Sequence, residues 1–108
     1  MRFLIQKETD DIIEALRPFF SDDGHIEKVF LFGSRARGDA TIRSDADIAV
    51  VSFEPEKIDR AKLRRAAEAF GVACDFVYTT PDALDNAVKE LDVNYSIRRE
   101  GVLIWEPE

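Results

Sequence analysis

The chain reads as an α/β (α+β) domain, a small mixed sheet of about four strands covered by helices. Three observations predict it. Short apolar runs of strand length alternate with stretches whose apolar residues recur at helical spacing. Punctuating residues, among them Gly71, Thr80-Pro81 and Gly101, stand between them. The 108 residues, 45% hydrophobic and 34% charged, suit one domain spanning 1–108 with a core of its own.

Taken in order, Thr9 is placed to cap a first helix bearing Ile12, Ile13, Leu16 and Phe20, which Pro18 should end or kink. Ser21 to Gly24 reads as a turn, and Val29 to Phe32 as a short buried strand. Ser44 to Ser52 supplies a second strand. Lys57 to Phe70 is a helix, with Leu63, Ala66, Ala67 and Phe70 on one face and Gly71 as its stop. Val72 to Tyr78 is the third strand. Thr80 caps a helix opened by Pro81 and carried through Leu84, Val88 and Leu91; Asn94 to Arg99 either continues it or starts another turn. Val102 to Trp105 is the last strand.

Composition narrows the function. A single cysteine, Cys74, excludes an intrachain disulfide or a cysteine-rich zinc site. No apolar run approaches the ~18–20 residues of a membrane span, and no signal-peptide pattern opens the chain, so a soluble cytoplasmic protein is expected. Fifteen Lys and Arg against 22 Asp and Glu give a net charge of −7. Such a chain is a poor general ligand for nucleic acid, whose affinity comes mostly from cations on phosphate. Phosphates already complexed with a divalent metal remain acceptable.

Three acids carry the chemistry. Asp45 and Asp47 sit two apart on an apolar strand, so both point to one face. Two bare carboxylates there repel, and a hard cation such as Mg²⁺ relieves the conflict, commonly taking one or two carboxylates plus substrate phosphates. Asp75 lies amid the apolar third strand and also needs a partner. If the two strands are neighbours, the three carboxylates converge on two metals, the arrangement that clamps an in-line phosphoryl displacement. Upstream, Gly33-Ser34-Arg35-Ala36-Arg37-Gly38 follows a strand directly. Glycine lets backbone amides approach phosphate oxygens, Ser34 adds a hydroxyl, and Arg35 or Arg37 a cation.

Gly33-Ser34, ten residues, then Asp45-x-Asp47 and a later strand acid at Asp75 resemble the polymerase-β-type nucleotidyltransferase superfamily. The fuller strings, Phe32 to Gly38, Ser44 to Ile48 and Ile97 to Ile104, are similar to its minimal members, known as MNT. The resemblance implies the polymerase-β-like fold and transfer of a nucleoside monophosphate from a triphosphate to a hydroxyl, with pyrophosphate leaving. It implies that Gly33 and Ser34 hold the triphosphate and that Asp45 and Asp47 ligate two magnesium ions. Asp75 would complete the metal nearest the acceptor and help take its proton. Minimal members often pair with a small helical HEPN protein, and some attach AMP to a tyrosine of that toxin.

Plainer readings stand beside these. Asp45 and Asp47 also fit a solvated strand end, Asp75 a salt bridge to Arg35 or Arg37, and both arginines exposed loop cations. Asp39 and Ser44 read as turn and strand-start residues, Cys74 as a core residue on the face opposite Asp75, and His25 as a surface residue. Arg60, Lys62, Arg64 and Arg65 form a basic helix face, either solvated or facing an acidic partner. The expected function is Mg²⁺-dependent adenylylation, from ATP, of a HEPN toxin by its antitoxin, because larger relatives carry acceptor-binding domains for which this length leaves no room. The alternatives are a non-catalytic nucleotide-binding antitoxin, or a nucleotidyltransferase for a small molecule or RNA end.

Overall fold

The computed structural model describes residues 2–108. Helix α1 (Arg2–Asp22) leads into β1 (Lys28–Phe32), a short helix α2 (Ser34–Arg37), and β2 (Ala46–Val51). A 3-10 turn (Pro55–Lys57) precedes α3 (Arg60–Phe70), which crosses over to β3 (Cys74–Thr79). Then come α4 (Pro81–Asp85), α5 (Val93–Glu100) and β4 (Val102–Trp105). The sheet is mixed, in the order β3-β2-β1-β4. Strand β1 runs antiparallel to both β2 and β4, whereas β2 and β3 are parallel. The parallel pair requires a crossover, and α3 supplies it.

Strand alternation divides the sheet into two faces. Val29 and Leu31 of β1 and Ala46, Ile48 and Val50 of β2 pack against Ile12, Leu16 and Phe20 of α1 and Leu63 and Ala67 of α3. Cys74 and Phe76 join that face, and Trp105 closes it against Phe20 with ring centroids 6.1 Å apart. The opposite face holds Phe32, Ala49 and Val51 under Leu84 of α4 and Ile97 of α5. These two short helices lie over that face, and α5 ends beside Gly33, where Glu100 meets the turn after β1.

Three elements depart from expectation. Helix α1 begins well before Thr9 and runs through Pro18. Thr9 is buried inside it, its hydroxyl donating to the Ile5 carbonyl at 2.8 Å rather than capping. Pro18 is tolerated because it and Glu14, whose carbonyl loses a donor, lie on the exposed side, while Leu16 and Phe20 are fully buried on the other. The helix after Thr80 does start with the expected cap, the Ala83 amide donating to Thr80 Oγ1, but it ends at Asp85. Arg98 of α5 takes the carbonyls of Leu84, Asp85 and Ala87, so the chain doubles back, with Val88 and Leu91 exposed, into a separate helix capped by Asp92. Helix α3 starts at Arg60, capped by Asp59, rather than at Lys57.

Among the described residues no helix is long and apolar enough to cross a membrane. Arg60 lies over the Tyr78 ring at 4.1 Å and Lys62 near Phe19, so part of the basic face of α3 is spent on aromatic neighbours. His25 is at the surface.

Candidate active site

The acids gather on the second face, where β2 and β3 begin. Asp47 is in register with Asp75 across the parallel β2–β3 pair and with Phe32 across the antiparallel β1–β2 pair. Asp45, one residue before β2, shares the Asp47 face by strand alternation. Parallel neighbours are ~4.8 Å apart, so Asp47 and Asp75 present like charges directly opposite each other. Asp45 and Asp75 are exposed and Asp47 half-buried, forming an open shelf rather than a closed cavity. A cavity of about 720 Å³ lies elsewhere, between the end of α1 and β4.

The electrostatics follow from this crowding. Burial, then the Asp75 and Asp45 carboxylates, hold the Asp47 carboxyl above the usual range, against a smaller opposing pull from Arg37. Neither arginine pairs with Asp75. The donors are hard oxygens whose mutual repulsion a divalent cation would relieve, so the set suits Mg²⁺. Among the described residues no three acids, histidines or cysteines already form a metal cage.

Gly33 explains how closely the turn after β1 approaches Asp47. It leaves β1 at φ 74° and ψ −158°, a region essentially reserved for glycine. A Cβ there would collide with the Asp47 Oδ2 oxygen. Gly33→Ala is expected to cost about 1–3 kcal/mol of strain and to push Asp47 off its position. Denaturant unfolding and transfer assays of the variant should therefore fall together; retained activity would detach the turn from the site. Beyond Gly33, Ser34 opens α2, and Gly38 closes it at φ 88°, its amide bonding back to the Ser34 carbonyl.

The two arginines of α2 part company. Arg37 is exposed on the site side, paired with Asp39 at 3.2 Å and with Glu100 at 3.1 Å. Arg35, expected to offer a cation to the triphosphate, faces inward instead, its side chain only 1% exposed. Its guanidinium donates twice to the Ser44 carbonyl (3.0 and 2.8 Å), once to Thr9 Oγ1 (3.0 Å) and once to Glu8 (2.8 Å). Arg35 therefore ties the turn and α1 to the residue preceding Asp45. Its role here is structural.

Glu100 escaped the sequence reading as a site residue. It ends α5 beside the site, and its Oε1 accepts from the Gly33 amide at 3.3 Å as well as from Arg37. The signal lies in an acid directly before the glycine that opens β4, but only the β1–β4 pairing brings it to Gly33. Cys74 faces the core as expected, and burial lifts its thiol to about 11, leaving it protonated and unreactive at neutral pH.

A mixed sheet carrying paired acids beside a glycine-serine turn defines a nucleotidyltransferase, and the chain belongs to that class: the polymerase beta nucleotidyltransferase family matches it over residues 14–108. Within the class it is similar to MntA of Haemophilus influenzae, named a probable protein adenylyltransferase, with 39% identity over 80 residues, 74% of this chain and 67% of that protein. Solved structures share the fold. One from Sulfolobus solfataricus, assigned as a nucleotidyltransferase, gives a TM-score of 0.64 at 22% identity over 97% of this chain and 86% of its own. A chain of a toxin–antitoxin complex with AMP-PNP gives 0.65 at 23% identity, covering 89% and 74%. A chain of the MntA–HepT toxin–antitoxin complex gives 0.55 at 24%, covering 94% and 73%.

Proposed function

We propose that the protein transfers AMP from ATP to a hydroxyl, a tyrosine of a HEPN-type toxin, and thereby acts as its antitoxin. The observation that carries the reading is the register of Asp47 opposite Asp75 beside the Gly33 turn. The likeness to MntA supports a protein acceptor, and the related complexes support a toxin and a nucleotide as companions.

In this reading the Gly33-Ser34 turn and Arg37 hold the triphosphate, and Asp45, Asp47 and Asp75 hold Mg²⁺, with two ions expected. Bound there, the metal would neutralise charge on the phosphates and lower the pKa of the acceptor hydroxyl. Asp75, the acid farthest from the turn across the sheet, accepts the acceptor's proton. The hydroxyl oxygen forms a bond to the α-phosphorus as the bond to pyrophosphate breaks. Exposure of Asp45 and Asp75 leaves room for an acceptor on a docked protein, which must bring its hydroxyl to ~3–3.5 Å from phosphorus.

Incubation with Mg²⁺, ATP and the co-encoded partner should add one AMP mass per transfer to that partner. Asp75→Asn should add none. If Asp75→Asn neutralises the unmodified partner as well as the parent protein does, the antitoxin acts by contact alone.

A further inference from the structure

Glu100 occupies the groups a triphosphate would need. Its Oε1 accepts from the Gly33 amide at 3.3 Å and from Arg37 Nη1 at 3.1 Å, with Oε2 3.3 Å from the same nitrogen. One carboxylate thus spans a backbone amide and a guanidinium, as a phosphate oxygen would. Its position is imposed by the fold. Gly101 follows at once, and a Cβ there would strike the Ile97 carbonyl, so only glycine allows the tight passage from α5 into β4. Strand β4 then pairs with β1, Val102 opposite Leu31, which fixes the end of α5 beside the end of β1.

We propose that Glu100 is a latch on the phosphate-binding turn, displaced when a nucleoside triphosphate binds and therefore a determinant of nucleotide affinity. The proposal rests on the nucleotidyl-transfer reading. The incoming phosphates must take Gly33 and Arg37 from an anion already in place, and that anion adds to the negative field of Asp45, Asp47 and Asp75. The latch holds the turn in place and sets a threshold that weakly bound anions do not pass. Glu100 is partly exposed and Arg37 about half so, which keeps the threshold modest.

The test is the affinity of Mg²⁺–ATP, measured calorimetrically on the parent protein and on E100Q, E100D, R37A and the double variant R37A/E100Q. E100Q removes the charge and should bind about two- to fivefold more tightly, the size of a half-exposed ion pair. E100D keeps the charge but is one methylene short of both donors, and should also bind more tightly than the parent. In the R37A background the gain from E100Q should shrink, because one of the contested donors is gone. Equal or weaker binding by E100Q overturns the latch while leaving nucleotidyl transfer intact, as does E100D binding like the parent. If neither parent nor E100Q binds ATP, the nucleotidyl-transfer reading falls, and the latch with it.

Discussion

With a metal held as proposed, Asp47→Asn should cut transfer by at least about 10²- to 10³-fold, a loss of several kcal/mol of charge stabilisation, and yet leave the metal-free protein no less stable. Burial and two neighbouring carboxylates hold the Asp47 carboxyl above its ordinary range. A raised folded-state pKa means that the native protein binds this proton more tightly than the unfolded chain does. The stability it contributes is fully present below the ordinary carboxylate pKa and is lost as pH rises through the raised value. At neutral pH the ionised group is therefore a liability in the absence of metal. Asparagine removes it, for a gain of at most about 1 kcal/mol at a site this open to solvent. Thermal melts in chelator should show Tm up by a few degrees at pH 7, with the advantage gone at pH 3. A lower Tm for the variant at pH 7 would make Asp47 a structural anchor instead.

The second large effect belongs to Arg35. Arg35→Ala should destabilise the protein by about 2–4 kcal/mol, since breaking a buried ion pair strands its partners. The Ser44 carbonyl, Thr9 hydroxyl and Glu8 carboxylate would lose four donated bonds between them. Partial exposure of Glu8, 36% for its side chain, lets water recover some of that loss. Arg35→Lys should recover only part of the stability, because an ammonium cannot reach all three partners with a planar fork. Urea unfolding checks the order Arg, Lys, Ala. An Arg35→Ala variant with unchanged midpoint and weakened ATP binding would instead put this side chain on the phosphates.

Strand parity made much of the site legible. Two acids at i and i+2 in an apolar run share a face whatever the surroundings, and the same alternation turned Cys74 to the core. What the sequence leaves open is which strands are neighbours. Asp75 meets Asp47 only because α3 returns the chain parallel to β2, and Glu100 meets Gly33 only because β4 lies beside β1. Arg35 and Arg37, two apart on a single helical turn, point in different directions, so either suits a phosphate until α1 is seen to cover one of them. Thr9 and Pro18 misled for a related reason. Local preferences for a cap and a break yielded to the burial of Ile5, Ile12, Leu16 and Phe20 along one continuous helix.

The carbonyl clamp at Ser44 also bears on which changes of length the chain can absorb. Residues 39–43 form a surface loop between two anchored points, the end of α2 and the Arg35-held Ser44 carbonyl. Doubling such a loop costs only about 0.6 kcal/mol in closure entropy. The ten residues between Ser34 and Asp45 are thus a habit of the loop rather than a requirement of the chemistry. Within β2 the opposite holds. One residue inserted between Asp47 and Ile48 would either turn the acids toward Ile12 and Leu63 or swing Ile48 and Val50 out of the core. Insertions and deletions among descendants of this chain should therefore collect in 39–43 and stop at Ser44.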